Sequence, residues 1–178
     1  MAAFTYPRSE PGSGGHLDLI ERLNSHTEEL RRELSGLPEA TLTYRPKEGE
    51  WSIKEVIGHL RDHAQFFHRR LSMMINLEEP RLAAYDQEAL VKERNPQVAP
   101  IDDLLAEFAS QRAETVDMLA ELVHWNWARQ GRHEERGRLS IRQLVDRAIA
   151  HQEAHLAQIR SLKERAAANT TQGARGHP

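Results

Sequence analysis

Apolar residues recur at three- and four-residue spacings in four segments of the chain, which is the spacing of an amphipathic helix. The segments cover residues 16–36, residues 53–77, a stretch that begins at Asp102 or Asp103, and residues 139–165. No run of β-branched residues alternates with polar ones, and no Asn-Gly or Asp-Gly pair predicts a hairpin. The pattern therefore predicts an all-α fold, a four-helix bundle.

Two of the predicted helices begin at a capping box, in which a serine and a Glu or Gln three residues later bind each other's backbone N–H groups. The sequence SIKE at residues 52–55 opens the second helix, and SIRQ at residues 140–143 opens the fourth. Trp51, directly before the first box, is placed to pack as a hydrophobic staple. Asp102 or Asp103 is the predicted cap of the third helix.

The segment between the second and third helices is long for a turn between neighbouring helices. Residues 78–99 contain Pro80 and Pro96 and show only a weak apolar pattern. This length predicts a long crossover back along the bundle, with a short helix within the sequence LAAYDQEALVKER.

The ends of the chain lack an apolar pattern. Residues 1–15 are rich in Pro, Gly and Ser and predict a flexible N-terminal arm. Residues 16–166 form the predicted bundle, and residues 167–178 are expected to be a flexible tail. A chain of 178 residues, of which 39% are hydrophobic, suits one domain with a single core.

Composition excludes several classes of function. The net charge of -3 and the lack of a Lys- or Arg-rich stripe argue against a nucleic-acid partner. No apolar run is long enough to span a bilayer, and no signal peptide is evident, so a cytoplasmic location without a membrane partner is expected. The chain has no cysteine, which excludes disulfides, thiolate metal ligands and a cysteine nucleophile.

Histidine carries the candidate chemistry. His151 and His155 interrupt the core-facing stripe of the fourth helix at the i, i+4 spacing that lets two imidazoles bind one ion. On the second helix, either His59 or His63 could complete a set of three imidazoles with an open fourth position. In the alternative interpretation, the paired histidines are buried polar residues bonded to each other, to water or to carboxylates.

Three further residues have two interpretations each. Asp62 could orient a metal ligand from behind, or it could form a surface ion pair with Arg61. Gln158, one turn past His155, could form a hydrogen bond to a metal-bound water, or it could be a solvated surface glutamine. Arg112 lies on the inner stripe of the third helix, where an acidic partner is the favoured expectation and an anionic substrate group is the alternative.

Two segments resemble the signatures of the DinB-like (YfiT-like) superfamily, which is named for damage-inducible proteins. The sequence EWSIKEVIGHLRDHAQFFHRRL is similar to W-S-x-x-E-x-x-x-H-L-x-D, and LSIRQLVDRAIAHQEAHLAQI is similar to a closing helix with H-x-x-x-H-x-x-Q-I. Arg45-Pro46 and the loop from Trp127 to Gly131 also look like family features. The resemblance covers residues 16–165.

The resemblance implies a four-helix bundle that holds a divalent metal ion through His59, His151 and His155. It thereby selects His59 over His63, which leaves His63 as a candidate proton shuttle, a spare ligand or a partly exposed histidine. The donor set suits zinc or nickel first, with iron or cobalt as alternatives. Asp62 and Gln158 stay the candidates for orienting the ligands.

The family resemblance also bears on function. Family members with known activity include S-transferases that use bacillithiol, mycothiol or related low-molecular-weight thiols, as well as metal-dependent hydrolases and isomerases. We therefore expect a metal-dependent enzyme with a small-molecule substrate, in which a thiol substrate would supply the sulfur that this chain lacks. The alternative is a non-enzymatic metal-binding protein of the stress response. Apolar residues on the exposed edges of the bundle suggest a homodimer.

Overall fold

The computed structural model describes residues 15–175, and it describes side chains for residues 15–171. Apart from Gly15, the predicted N-terminal arm lies outside the described residues. The helices are α1 (His16–Leu34), α2 (Glu39–Leu42), α3 (Ile53–Asn76), α4 (Gln87–Arg94), α5 (Ile101–Ala120) and α6 (Ile141–Arg175), and 3-10 turns cover Pro96–Val98 and His124–Ala128. The strands are β1 (Arg81–Leu82), β2 (Gln130–His133) and β3 (Gly137–Ser140).

The four long helices α1, α3, α5 and α6 form the predicted bundle. The main contacts join α3 to α5, α1 to α5, α1 to α6, and α3 to α6. Helices α1 and α3 therefore lie across the bundle from each other, as do α5 and α6. Helices α3 and α6, which carry the candidate metal ligands, are neighbours.

Both predicted capping boxes are confirmed. The Ser52 N–H donates to Glu55 Oε2 at 2.9 Å, and the Glu55 N–H donates to Ser52 Oγ at 3.3 Å. Ser140 and Gln143 make the same pair of bonds at the start of α6. The predicted cap of the third helix is wrong, because α5 begins at Ile101 and both aspartates lie in its first turn. Carboxylates there favour the helix through its dipole.

The connection between α3 and α5 contains β1, the predicted short helix α4 and a 3-10 turn. Its end packs tightly against α3, because a Cβ atom added at Gly58 would lie 2.6 Å from Cβ of Pro96. Only glycine permits this approach, which fixes the connection against the helical turn that carries His59. That the connection is a crossover stays a prediction.

A small sheet was not predicted. Strand β1 pairs with β2 in parallel, and β2 pairs with β3 in an antiparallel hairpin with Gly131 opposite Leu139. Strands of two to four residues are too short to show the alternation that predicts a strand. The turn needs Gly137, whose φ of +74° is in the left-handed region.

The last helix is longer than predicted. The apolar pattern ends at Arg165, whereas α6 continues to Arg175. This continuation overlaps the predicted tail, whose flexibility stays a prediction. Among the described residues, no helix is both long and apolar enough to cross a membrane.

A layer of polar side chains divides the core into two apolar clusters. One cluster includes Ile57, Phe108 and Ile159, and the other includes Leu23 and Val145. Between these clusters, each long helix contributes buried or partly buried polar side chains, which we call the polar layer: His26 on α1, His63 on α3, Arg112 on α5, and His151 and Gln152 on α6. Buried polar side chains therefore lie near the middle of the bundle axis, between the two apolar clusters.

The burial of His26 makes the stability of the protein depend on pH. Its side chain is 3% exposed, and loss of hydration, assisted by the positive charge of Arg112, lowers its pKa below the ordinary value of 6.5. The folded protein therefore keeps the ring neutral at pH values where the unfolded chain binds a proton. Its contribution to stability is complete above pH 6.5 and is lost as the pH falls below that value.

We expect His26→Gln to reduce the pH dependence of unfolding in metal-depleted protein. As the pH falls below 6.5, one such histidine adds up to about 1.4 kcal/mol per pH unit to the slope of the unfolding free energy. Urea denaturation at several pH values measures this slope. A variant whose slope equals that of the wild type would contradict the assignment.

Candidate metal centre

Three histidine rings from two neighbouring helices meet in the core. His59 lies in the second turn of α3, next to the residue that contacts Pro96, whereas His151 and His155 occupy successive turns of α6. All three side chains are buried, with exposed fractions of 1%, 5% and 6%. They form a group whose ligand atoms lie within 4.8 Å of one another.

The distances within this group suit a shared ion. His59 Nε2 lies 2.9 Å from His151 Nε2, and His155 Nε2 lies 3.2 Å from the same atom. Ligand nitrogens about 2.0–2.1 Å from a tetrahedral ion would be roughly 3.3 Å apart. Two of the three nitrogen–nitrogen distances are therefore close to this value, and the ligand atoms of all three rings lie within 4.8 Å of one another.

The rings are neutral, as metal ligands must be. Burial lowers the pKa values of His59 and His151 well below 6.5, and the neighbouring histidines lower them further. Burial also lowers the pKa of His155, although its hydrogen bond to Gln158 acts in the opposite direction. At neutral pH, protons therefore do not compete for the nitrogen lone pairs.

Gln158 determines which nitrogen of the neutral His155 ring carries the proton. Nδ1–H of His155 donates to Gln158 Oε1 at 2.7 Å, because an amide oxygen can only accept. In the neutral ring, this bond leaves the lone pair on Nε2, the atom that faces His151. Gln158 thus contacts a candidate ligand histidine directly and orients it.

The start of α3 is held by a hydrogen-bond network that includes Ser52 and Glu55 of the W-S-x-x-E segment. Glu55 binds the Ser52 backbone and also accepts a hydrogen bond from Arg45 Nε at 2.8 Å. The Trp51 ring lies 5.1 Å from the His59 ring and 6.4 Å from the His155 ring, measured between centroids. Sequence reasoning identified Trp51 as a packing residue and missed its contact with the histidines.

Asp62 does not orient a ligand in this structure. Its Oδ1 accepts hydrogen bonds from Arg61 Nε at 2.9 Å and from Arg94 Nη1 at 2.7 Å. The ion-pair interpretation with Arg61 is therefore confirmed, except that Asp62 is buried rather than on the surface. Residues Arg61 and Arg94 neutralise its charge and tie α4 to α3.

His63 is close to the group but is not a member of it. Its ring stacks on the His151 ring with centroids 4.0 Å apart, and its side chain is partly exposed. The atoms packed around the ring, and then the charge of Arg112, lower its pKa to about 3. The ring is therefore neutral at neutral pH, and the proton-shuttle role of His63 stays a prediction.

Arg112 does not have the acidic partner expected from sequence. It is 2% exposed, and its Nη2 donates to Gln152 Oε1 at 2.7 Å. Among the described residues, no salt bridge includes Arg112. Burial alone lowers the pKa of its guanidinium to about 10, so the side chain stays positively charged at neutral pH.

The fold is similar to those of two solved structures. YfiT from Bacillus subtilis, provisionally described as a metal-dependent hydrolase with an unusual four-helix bundle topology, superposes with a TM-score of 0.82 and 19% identity, covering 90% of this chain and 93% of that one. A mycothiol-dependent maleylpyruvate isomerase superposes with a TM-score of 0.70 and 12% identity, covering 85% of this chain and 63% of that one. These likenesses establish the fold.

Sequence relatives extend over most of the chain. A protein of Oceanobacillus iheyensis, provisionally named a metal-dependent hydrolase, is 22% identical over 141 residues, which are 79% of this chain and 81% of that protein. The uncharacterized protein YuaE of Bacillus subtilis is 25% identical over 149 residues, which are 77% of this chain and 92% of that protein. Residues 22–159 match the DinB superfamily, and the chain belongs to that superfamily.

Proposed function

We propose that His59, His151 and His155 bind a divalent metal ion and that the protein is a metal-dependent enzyme acting on a small molecule. The observation that carries the proposal is the group of three buried, neutral imidazoles. Among the described residues, no fourth His, Asp or Glu belongs to this group. Structural zinc sites have four protein ligands, whereas catalytic sites keep a position open for water or substrate.

The donor set suits zinc or nickel first, and iron or cobalt as alternatives. Such an ion lowers the pKa of a coordinated water or thiol and so makes an anionic nucleophile available near neutral pH. Gln158 orients His155, and burial keeps the three rings in the neutral state that a metal ligand requires. The Trp51 ring packs beside the His59 and His155 rings, with centroids 5.1 and 6.4 Å away.

For the reaction, we propose transfer of a low-molecular-weight thiol, with hydrolysis as the other possibility. The mycothiol-dependent structural neighbour supports the first, and the names of YfiT and the Oceanobacillus relative support the second. Because the chain has no cysteine, any sulfur nucleophile has to come from the substrate. A non-enzymatic metal-binding role in the stress response is the alternative, and the open coordination position argues against it.

The oligomeric state and the cellular location are also proposals. A homodimer is suggested by exposed apolar side chains near one end of the bundle, where Val123 is 45% exposed and Trp125 is 73% exposed. We also propose a cytoplasmic location, as expected from the sequence.

We expect His151→Ala to abolish stoichiometric metal binding, because its Nε2 is the atom that both other ligand nitrogens approach. His59→Ala should also lose the metal, whereas His63→Ala should retain it. Elemental analysis of purified proteins after equilibration with zinc or nickel measures the occupancy. His63→Ala is the matched control, since it removes a histidine that stacks on His151 without being a ligand. Full occupancy of His151→Ala, or greater loss in His63→Ala than in His59→Ala, would contradict the ligand set.

Substitution of Gln158 should change metal affinity without removing a ligand. We expect Gln158→Leu to weaken binding about 10- to 100-fold, because His155 loses the acceptor that orients its ring. Gln158→Glu keeps an acceptor in place and should bind at least as tightly as the wild type. Competition with a metal chelator measures both affinities. Equal affinities of the Leu and Glu variants would show that Gln158 does not act on His155.

Activity should require both the metal and a suitable substrate. The metal-loaded protein is tested with bacillithiol, mycothiol and coenzyme A against a chromogenic haloarene, and separately with nitrophenyl esters. We expect turnover in one of the two assays and its loss by at least about 100-fold in His59→Ala, because Lewis-acid stabilisation amounts to several kcal/mol. A metal-loaded protein that is inactive throughout, or an active His59→Ala variant, would favour the non-enzymatic alternative.

A further inference from the structure

The polar layer contains a buried positive charge for which the described residues provide no counterion. Arg112 has five N–H groups, and within the described part of the chain one of them, on Nη2, donates a hydrogen bond to Gln152 Oε1. Its Nε and Nη1 atoms are buried and have no hydrogen-bond partner among the described residues. A buried donor without a partner is costly, and a buried charge without a partner is more costly still.

The surroundings of Arg112 leave the edges of its guanidinium unsatisfied. Its central carbon lies 5.2 Å from the centroid of the Phe108 ring and 5.9 Å from that of Phe67. Aromatic faces offset part of the charge, but they accept none of the N–H groups. His26 on α1 and His63 on α3 are close enough for the charge of Arg112 to lower their pKa values. Both rings are therefore neutral and supply no counterion.

A second donor lies beside the arginine. Gln152 uses its oxygen to accept from Arg112, and its amide nitrogen is buried without a described partner. The unpaired atoms of this pair are therefore all nitrogen donors, next to a full positive charge. Water could satisfy the hydrogen bonds but not the charge, whereas an anion satisfies both.

The charge and shape of these groups select among anions. A monoanion balances one guanidinium, whereas a dianionic phosphate would add a buried negative charge of its own. A carboxylate is planar and accepts up to four hydrogen bonds, which suits several N–H groups on a planar guanidinium and an adjoining amide. Halides lack this directional match.

We propose that Arg112 and Gln152 form an anion-binding subsite that takes the carboxylate of a small molecule beside the candidate metal centre. Gln152 directly follows His151 on α6, and the charge of Arg112 reaches His151 as well as His63. The proposal that a carboxylate binds here depends only on the contacts and unpaired donors of Arg112 and Gln152. That the carboxylate belongs to the substrate rests on the proposed function.

The decisive variant is Gln152→Glu, which places a carboxylate at the position of the amide oxygen 2.7 Å from Arg112 Nη2. In this near-isosteric variant, the arginine gains an internal counterion. Without added anions, we expect Gln152→Glu to unfold at a higher temperature than the wild type. Arg112→Met removes the charge while keeping much of the side-chain volume, and Arg81→Met, at an exposed surface position, is the matched control.

The probes are formate and acetate, compared with chloride and sulfate at equal ionic strength, using the full-length protein with and without zinc. Thermal unfolding and calorimetric titration measure binding. We expect formate or acetate to raise the unfolding temperature of the wild type and of Arg81→Met more than chloride or sulfate does. Their affinity should fall at least about tenfold in Arg112→Met and in Gln152→Glu, since charge-assisted hydrogen bonds are lost or already satisfied.

Three results would overturn the proposal. The first is an equal response of the wild type to all four anions, and the second is a carboxylate response of Gln152→Glu that matches the wild type. The third is a Gln152→Glu variant less stable than the wild type without added anions. Zinc occupancy, measured on the same samples, separates the two proposals. Carboxylate binding by a protein that takes no zinc would refute only the metal site, and zinc binding without a carboxylate response would refute only the subsite.

Discussion

Three imidazole rings share a small volume in the interior of a helix bundle, where an unsatisfied ring nitrogen is costly. Burial keeps the rings neutral, and the bond from His155 to Gln158 leaves a lone pair on Nε2. Neutral rings can exchange only a few hydrogen bonds among themselves. Their close approach therefore supports the proposal that a cation binds the lone pairs of the ring nitrogens. The remaining architecture holds the rings together: Gly58 admits Pro96 against α3, and Glu55 secures the start of that helix.

The polar layer has a second consequence for electrostatics. The candidate ligands His59, His151 and His155 contribute no negative charge, so a divalent ion bound by them would keep its full charge inside the bundle. Arg112, which shares the polar layer with His151, adds another positive charge, and the described residues offer it no carboxylate. Such a centre favours anionic ligands, whether a thiolate, a hydroxide or a carboxylate. The apolar clusters on either side of the layer strengthen these interactions because they keep the local dielectric constant low.

Local sequence patterns predicted most of the helical framework. The capping boxes at residues 52–55 and 140–143 place the starts of α3 and α6 correctly, since a box is a local exchange of hydrogen bonds. The start of α5 was missed because Pro100, which has no capping side chain, precedes it. The sheet was missed because strands as short as β1 are stabilised by pairing between distant segments and leave no periodic signal.

For the site, the sequence by itself determined that His151 and His155 share one face of a helix, because residues four apart do so in any α-helix. Periodicity alone left His59 and His63 as alternatives, and only the family resemblance chose between them. The tertiary structure brings His59 to within 2.9 Å of His151 and leaves His63 stacked on the outside of the group. It also decided that Asp62 pairs with arginines and that, within the described part of the chain, Arg112 donates a hydrogen bond to Gln152 but has no acidic partner. Distances between helices depend on how the helices pack, and packing is a property of the whole core rather than of any one segment.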